Sequence, residues 1–197
     1  MTRTRSLQIG GSVALVALAA WGASRAIERM VSPQPAASTT PASATAAAGV
    51  PHIIATLYYA TADGQALAAV KREVPLAEGA RAQGREILES QLEPAPAPYL
   101  SVIPHGTMLR AFYVTDKGDA FVDLSPEVST AHPGGSTNEL LTVYAIVNAI
   151  TTNLSSVQRV QILIGGMQVD TLAGHLDLRR PFQRDVSLVR PDQNTTP

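Results

Sequence analysis

The stretch STNELLTVYAIVNAITTNL, residues 136–154, carries the strongest local signal in the chain. It opens on Ser136 with Glu139 three residues later, the spacing of a capping box in which each residue's side chain accepts the backbone N–H of the other. Apolar residues then recur at the three- and four-residue spacing of one helix face. The pattern predicts a long helix that ends at about Asn153. Its apolar stripe consists of Leu140, Val143, Tyr144, Val147, Ile150 and Leu154.

Strand patterns lie on both sides of this helix. Upstream, Thr107–Val114 and the alternating run Ala120–Leu124 are joined by a turn at residues 116–119, which predicts a hairpin. Downstream, Val157–Ile164 is apolar on both faces, as is typical of a central strand, and Gly165-Gly166 ends it.

A second set of elements precedes the hairpin. His52–Ala60 is rich in β-branched and aromatic residues and predicts a strand, and Asp63-Gly64 predicts a turn back into a second strand, Leu67–Leu76. Glu78–Leu92 has apolar residues at helical spacing. The prolines at 94–98 end that helix, since proline cannot continue one.

The predicted order, β-β-α-β-β-α-β, favours an α+β fold with a small mixed sheet and two helices packed on one of its faces. Thr171–Leu178 is a candidate for one more edge strand. We assign residues 51–187 to this domain and residues 188–197 to a polar tail. The sequence contains no internal repeat.

An uncharged segment near the N-terminus predicts a membrane helix. The 19 residues from Ser6 to Ser24 carry no charge, and about 20 residues cross the hydrocarbon core. Arg3 and Arg5 precede the segment, which favours an N-terminus on the cytoplasmic side. We expect residues 1–31 to be a retained signal-anchor, with a cleaved signal peptide and a buried amphipathic helix of the domain as alternatives.

Residues 32–50 are nearly all Ser, Pro, Ala and Thr and predict a flexible linker. Such a linker argues against the buried helix, because a core helix would connect back through a short loop. Cleavage after small residues at Ala17–Ala19 or Trp21–Ala23 stays open. The sequence therefore predicts a single-pass protein of the cytoplasmic membrane, with its domain extracytoplasmic, on the periplasmic or cell-wall side.

Composition excludes several classes of function. Apolar residues make up 45% of the chain and charged residues 16%, as in globular proteins. The net charge is −1, and residues 51–197 hold 11 basic against 15 acidic groups, so the domain lacks the basic clusters that a nucleic-acid partner requires. The absence of cysteine excludes disulfides, thiolate metal sites, a cysteine nucleophile and a lipidated cysteine.

A series of short motifs runs through roughly residues 53–185. They are Leu57-Tyr-Tyr, Arg72-Glu-Val, Leu88-Glu-Ser-Gln-Leu92, Ile103-Pro-His-Gly-Thr107, Ala120-Phe-Val-Asp-Leu-Ser125, Gly134-Gly-Ser-Thr-Asn-Glu-Leu140, Ile146-Val-Asn-Ala-Ile-Thr151 and Val157-Gln-Arg-Val-Gln-Ile-Leu-Ile-Gly-Gly166. In order and spacing these motifs resemble the GerMN domain, which is named after a spore-germination and sporulation protein and occurs in many bacterial envelope proteins.

The resemblance implies a small α+β fold similar to ring-building domains of secretion and sporulation assemblies. It also implies a membrane-attached protein outside the cytoplasm, with no known enzymatic activity and a role in assembly or scaffolding. The chain departs from several family members in having no cysteine to lipidate, and from others in having a single copy of the domain.

One set of residues suggests a hydrolase. Asp123, Ser125 and His132 fall within ten residues and could form a nucleophilic triad. No Gly-x-Ser-x-Gly motif is present. We favour the structural interpretation, in which Asp123 is an outward strand residue, Ser125 begins a turn and His132 belongs to a Pro/Gly loop.

The remaining polar clusters have simpler explanations. None of the four histidines stands at the helical spacing of a metal site, and Gly165-Gly166 lacks the lysine and helix of a phosphate loop. Glu86, Glu89 and Glu93 fit a solvated helix face with an Arg85–Glu89 pair. The domain has one concentration of basic residues in its sequence, formed by Arg179, Arg180, Arg184 and Arg190. We interpret it as a solvated surface, with anionic lipid or wall polymer as a candidate ligand.

We therefore predict no catalytic, cofactor-binding or metal-binding residue and no cofactor. The favoured function is a non-enzymatic interaction or scaffold domain of the cell envelope, with other envelope proteins and further copies of itself as partners and the N-terminal helix in the membrane. A peptidoglycan-binding or envelope-glycan-binding module is the first alternative, and an unrecognised serine hydrolase is the second.

Overall fold

The computed structural model describes residues 51–191, and the predicted anchor and linker lie outside this range. Within it no helix has the length and apolar character needed to span a bilayer. The elements are β1 (His52–Ala60), β2 (Leu67–Pro75), α1 (Gly79–Leu92), β3 (Leu109–Val114), β4 (Asp119–Leu124), α2 (Glu127–Thr130), α3 (Ser136–Asn153), β5 (Arg159–Ile164), β6 (Phe182–Gln183) and β7 (Val189–Arg190).

The fold is mixed α+β, and the predicted order of long elements is present with the short elements α2, β6 and β7 added. The expected strand at Thr171–Leu178 is absent apart from one bridge between Thr171 and Asp177. The outer position of the sheet that contains β5 is occupied instead by β6, which pairs with the first residues of β5.

The strands form two sheets, so the prediction of one sheet is wrong. The first sheet has the order β1-β2-β7 and the second the order β3-β4-β5-β6. β1 and β2 pair antiparallel along their full length, from His52↔Pro75 to Ala60↔Leu67. β7 runs parallel to β2 over two pairs only, Leu67↔Val189 and Ala68↔Arg190.

The second sheet is mixed because a helix joins two of its strands. β3 and β4 form the predicted antiparallel hairpin. β4 and β5 are parallel, from Asp119↔Arg159 to Leu124↔Ile164, and α3 supplies the crossover that a parallel pair needs. β5 lies between β4 and β6, in the inner position that its two apolar faces indicate.

Helix α3 contacts β1 in the first sheet and β5 and β6 in the second, as well as α1. The expectation that both helices pack on one face of one sheet is therefore wrong. Because α3 has neighbours on several sides, even polar residues such as Thr142 and Asn148 are fully buried in it. Both sheets and the two long helices contribute to a single core cluster.

The predicted capping box does not form. The residue before α3 is Gly135, whose φ of 90° favours glycine, and no side chain caps the helix. Ser136 is already helical, and Glu139 is fully buried and bonded to a distant loop. Tertiary hydrogen bonds have here displaced a local motif.

Candidate functional site

The three residues of the suggested triad do not assemble. Asp123 is buried, and its carboxylate accepts the Gly166 N–H at 2.7 Å and the Arg110 Nε–H at 3.2 Å. Ser125 accepts the Met108 N–H at 2.9 Å and hydrogen-bonds the Glu127 carboxylate. Neither side chain hydrogen-bonds His132.

Both ring nitrogens of His132 are occupied by other groups. Nδ1 accepts the Gly134 N–H at 2.9 Å, so Nε2 carries the proton and donates to the Thr142 hydroxyl at 3.0 Å. That hydroxyl donates onward to the Val102 carbonyl at 2.6 Å. Burial lowers the pKa of His132, which keeps the ring neutral. His132 therefore stabilises the loop before α3 and has no serine to activate.

In the structure, the glutamates of the first helix and the arginines near the C-terminus form surface ion pairs. Glu89 pairs with Arg85 and Glu93 with Arg72, both at 2.8 Å. In the basic concentration near the C-terminus, two arginines have acidic partners at 2.7 Å, namely Arg179 with Asp177 and Arg190 with Asp63. Over residues 51–191 no three His, Asp or Glu side chains are grouped as metal ligands.

Glu139 is the centre of a polar cluster that the sequence did not indicate. Its carboxylate accepts the N–H groups of Ala173, His175 and Leu176 at 2.9–3.1 Å and the His175 Nδ1–H at 2.7 Å. Burial alone would raise the pKa of Glu139, but these hydrogen bonds outweigh it and lower the pKa from 4.5 to about 2. Glu139 is therefore ionised and fixes the 173–176 loop to α3.

A groove lined by three arginines runs between α1 and β3 and has a volume of about 510 Å³. Arg81 and Arg85 stand one turn apart on α1, and Arg110 faces them from β3. Arg110 is the extra residue of a β-bulge, since Leu109 pairs with Leu124 while the next ladder pair begins at Ala111. The groove lining comprises Glu78, Arg81, Ala82, Arg85, Arg110, Ala111, Phe112 and Tyr113.

The charges in this arginine groove are only partly neutralised. Arg85 pairs with Glu89, and Arg110 pairs with Asp123. The Arg81 guanidinium lies 5.1 Å from the centroid of the Tyr113 ring and has no acidic partner among the described residues. Tyr113 is itself about half exposed, at 49%. The groove thus presents planar cationic groups and an aromatic ring, which suit carboxylate or phosphate groups.

Close packing places α1 along this groove. Gly84 lies against the buried ring of Phe112, and a Cβ at residue 84 would be 2.2 Å from the ring's Cε1 atom. Only glycine allows that approach, so Gly84 sets the distance between the helix and β3. The spacing of Arg81 and Arg85 was readable from the sequence, but the position of Arg110 opposite them depends on this packing.

A second groove, of about 360 Å³, lies beside the N-terminal part of α3. It is largely apolar, with Leu100, Val102, Ile103 and Pro133 in its wall. Asn138 and His105 supply polar groups there. Its lining contains no Asp, Glu, Lys or Arg side chain, so it offers little electrostatic selectivity.

Side-chain amides close the outer edge of β1. Gln91, near the end of α1, accepts the Tyr58 N–H at 2.9 Å and donates to the Tyr58 carbonyl at 2.7 Å. Asn153, at the end of α3, does the same for Thr56 at 2.9 and 2.8 Å. Each amide thus replaces one residue of a neighbouring strand.

Ala60 completes this closure by exchanging two backbone hydrogen bonds with Leu100, at 2.9 and 3.0 Å. From Thr56 to Ala60 the outward backbone groups of β1 are therefore satisfied. This is the physical reason that the first sheet ends at β1 and does not continue into the second sheet.

The family described as "Germane: Sporulation and spore germination" matches residues 56–170. Comparison with curated proteins gives no match.

Two solved structures share the fold. A "putative lipoprotein" from Clostridium perfringens superposes with a TM-score of 0.50 at 24% identity, covering 70% of this chain and 91% of the other. The tandem GerMN domains of the sporulation protein GerM from Bacillus subtilis give 0.51 at 19% identity, covering 68% of this chain and 46% of theirs. The resemblance to the GerMN domain drawn from the sequence is confirmed. Because the family match takes in more than half of its residues, the chain belongs to the Germane family of sporulation and spore-germination domains.

Proposed function

We propose that this chain is a non-enzymatic interaction domain of the bacterial cell envelope, tethered to the membrane by its N-terminal segment. The observation that carries the proposal is the arginine groove between α1 and β3. Its partner is a protein segment rich in carboxylates, which the guanidinium groups bind by bidentate, charge-assisted hydrogen bonds.

Three features of the groove support this partner. Arg81 forms no ion pair among the described residues, so its charge is available to a ligand. Arg85 and Arg110 are about half exposed, and their remaining N–H groups can donate to a second acceptor. The domain as a whole is mildly acidic, so the groove is more positive than the average of its surface.

The absence of an assembled triad supports a binding role over hydrolysis. His132 is bonded to Gly134 and Thr142, and neither of its ring nitrogens contacts Ser125. The imidazole of the suggested triad is therefore outside hydrogen-bond reach of the Ser125 hydroxyl that it would have to activate.

Site-specific photocrosslinking of the full-length chain in the producing cell tests the proposal. A crosslinker placed at Ala82, inside the groove, should capture an acidic partner, and the charge reversal R81E/R85E should abolish that adduct. K117E is the matched control, because Lys117 lies in the β3–β4 turn outside the groove. Adducts that are unchanged by R81E/R85E would contradict the proposal.

A glycan partner is the second candidate, favoured by the half-exposed Tyr113 ring beside three guanidinium groups. Aromatic rings stack on sugars while arginines bind their acidic substituents. Co-sedimentation with purified sacculi distinguishes the two: a glycan-binding domain pellets at low salt and R81E/R85E does not, whereas a protein-binding domain stays in the supernatant in both forms.

A further inference from the structure

The arginine groove follows the outer edge of β3, which is the terminal strand of the second sheet. The groove is lined by four consecutive residues of this strand, 110–113, although neighbouring side chains of a strand point to opposite faces of the sheet. What four consecutive residues share is the backbone along one edge. The inner edge of β3 is paired with β4, so the groove lies along the other, unpaired edge, beside α1.

Two residues of β3 turn their backbone groups toward this edge. At the turn into β4, the Thr115 N–H bonds to the Asp119 carbonyl at 2.9 Å. Bonding alternates along an antiparallel pair, so bonds to β4 recur at Tyr113 and skip Phe112 and Val114. The N–H and C=O groups of Phe112 and Val114 therefore point away from β4, and they have no hydrogen-bond partner among residues 51–191.

The unpaired groups of Phe112 favour a ligand. Phe112 is only 3% exposed, and buried backbone groups are nearly always paired, because an unpaired one costs about as much as a lost hydrogen bond. The side chains of Arg81, Arg85 and Tyr113 around the groove are exposed. Arg81 contacts the Tyr113 ring and forms no ion pair in the described part of the chain, so it can turn toward an incoming carboxylate.

We propose that the acidic segment of the partner binds as an extended strand added to the outer edge of β3, with carboxylates on alternate residues. The inference rests on the function proposed above and specifies the conformation and the sequence pattern of the partner. In this mode of peptide recognition, main-chain hydrogen bonds supply affinity and alternate side chains supply specificity.

The spacing of the arginines on α1 matches the repeat of a strand. Arg81 and Arg85 are one turn apart, which is about 6 Å along the helix axis. In a strand, every second side chain points to the same face, and these side chains are about 6.6 Å apart. Residues opposite Phe112 and Val114 share the face on which Phe112 contacts Gly84 of α1. Two carboxylates at alternate positions can therefore each meet one guanidinium of the helix.

Synthetic peptides blocked at both ends test the pattern of carboxylates, with the full-length chain in detergent micelles and fluorescence anisotropy as the readout. The probe Thr-Thr-Glu-Thr-Glu-Thr-Thr should bind. Thr-Thr-Glu-Glu-Thr-Thr-Thr has the same composition but should bind about tenfold more weakly, because only one of its carboxylates faces α1. Equal affinities of the two peptides would overturn the alternate pattern.

N-methylation of the probe tests the backbone pairing. Methyl groups on the nitrogens of the two glutamates, or of the threonines that follow them, remove N–H groups that point to opposite edges of the peptide. One methylated peptide should lose affinity at least about tenfold and the other should bind like the parent, and the impaired one reports the direction of the strand. Equal effects of the two modifications would overturn the inference.

V114P is the matching change in the protein. Proline lacks an N–H but is tolerated on edge strands, and the Val114 N–H does not bond to β4, so the fold should persist, as thermal unfolding would verify. V114P should weaken binding of the probe at least about tenfold with all three groove arginines in place. In wild type, the probe should slow amide hydrogen exchange at Phe112 and leave it unchanged at Tyr113, which is already bonded to β4.

The charge reversal R81E/R85E separates this inference from the proposed function. It should abolish binding of the probe. Binding that requires the arginines but tolerates V114P and both N-methylations would overturn the added strand and leave the proposed function intact. Binding that survives R81E/R85E would contradict the proposed function as well.

Discussion

At the scale of single residues, Glu139 has the largest energetic consequence. Its folded pKa of about 2 lies below the ordinary value of 4.5, so its ionised form stabilises the fold above pH 4.5, and this stabilisation is lost as the pH falls toward 2. A shift of this size corresponds to roughly 3 kcal/mol.

We expect E139Q to lower the free energy of unfolding by about 2–3 kcal/mol at pH 7, because the amide is a weaker acceptor for three N–H groups and the His175 ring. The difference from wild type should shrink between pH 4.5 and pH 2. Urea denaturation across this range measures both effects. E89Q, which removes an exposed pair with Arg85, is the control and should cost under about 1 kcal/mol.

Gly84 gives a second prediction at this scale. G84A should destabilise the domain by about 1–2 kcal/mol, since the clash with the Phe112 ring exceeds the gain of about 1 kcal/mol in helix propensity. In an F112L background the same substitution should become neutral or stabilising. Thermal unfolding of wild type, G84A, F112L and G84A/F112L measures the energetic coupling between residues 84 and 112. Equal effects of G84A in both backgrounds would contradict the packing argument.

At the scale of elements, the closed edge of β1 is the feature that shapes the sheets. Q91A removes both hydrogen bonds to Tyr58 and leaves buried backbone groups without partners, which should cost about 2–4 kcal/mol. The Tyr58 amide should then exchange hydrogen faster. Q158A, on an exposed residue, is the control, and equal exchange rates at Tyr58 in wild type and Q91A would rule out this function of Gln91.

The order and approximate bounds of the long elements were predictable, because periodicity and turn residues are local signals. His52–Ala60 and Gly79–Leu92 follow their sequence patterns within a residue. The division into two sheets was not predictable, since it depends on Gln91 and Asn153 reaching a strand 33 and 97 residues away.

In the candidate site, too, local spacing did not predict the contacts between distant elements. Ser136 and Glu139 have a capping-box spacing, but Glu139 instead bonds to a loop more than 30 residues downstream. Asp123, Ser125 and His132 are near one another in sequence, yet each bonds to different neighbours. Proximity along the chain does not determine which side chains meet when the partners come from other elements.

At the scale of the whole molecule, the prediction concerns residues 1–31. We expect the full-length chain to stay with membranes after alkaline extraction and to be released by detergent, because an uncharged segment of 19 residues is long enough to span the bilayer. A chain that starts at residue 32 should be extracted without detergent. Release of the full-length chain by alkali alone would contradict a retained anchor.

The side-chain amides that close the edge of β1 also determine how the domain responds to slow deamidation. Hydrolysis of the Asn153 amide would replace its N–H donor by a carboxylate oxygen that faces the Thr56 carbonyl, turning attraction into repulsion. The thermolabile side chains of Asn153 and Gln91 thus prevent the edge of β1 from pairing with strands of other molecules. Prolonged incubation of the protein should therefore produce deamidated chains and sheet-rich aggregates together, and mass spectrometry of the aggregates would detect the modified Asn153.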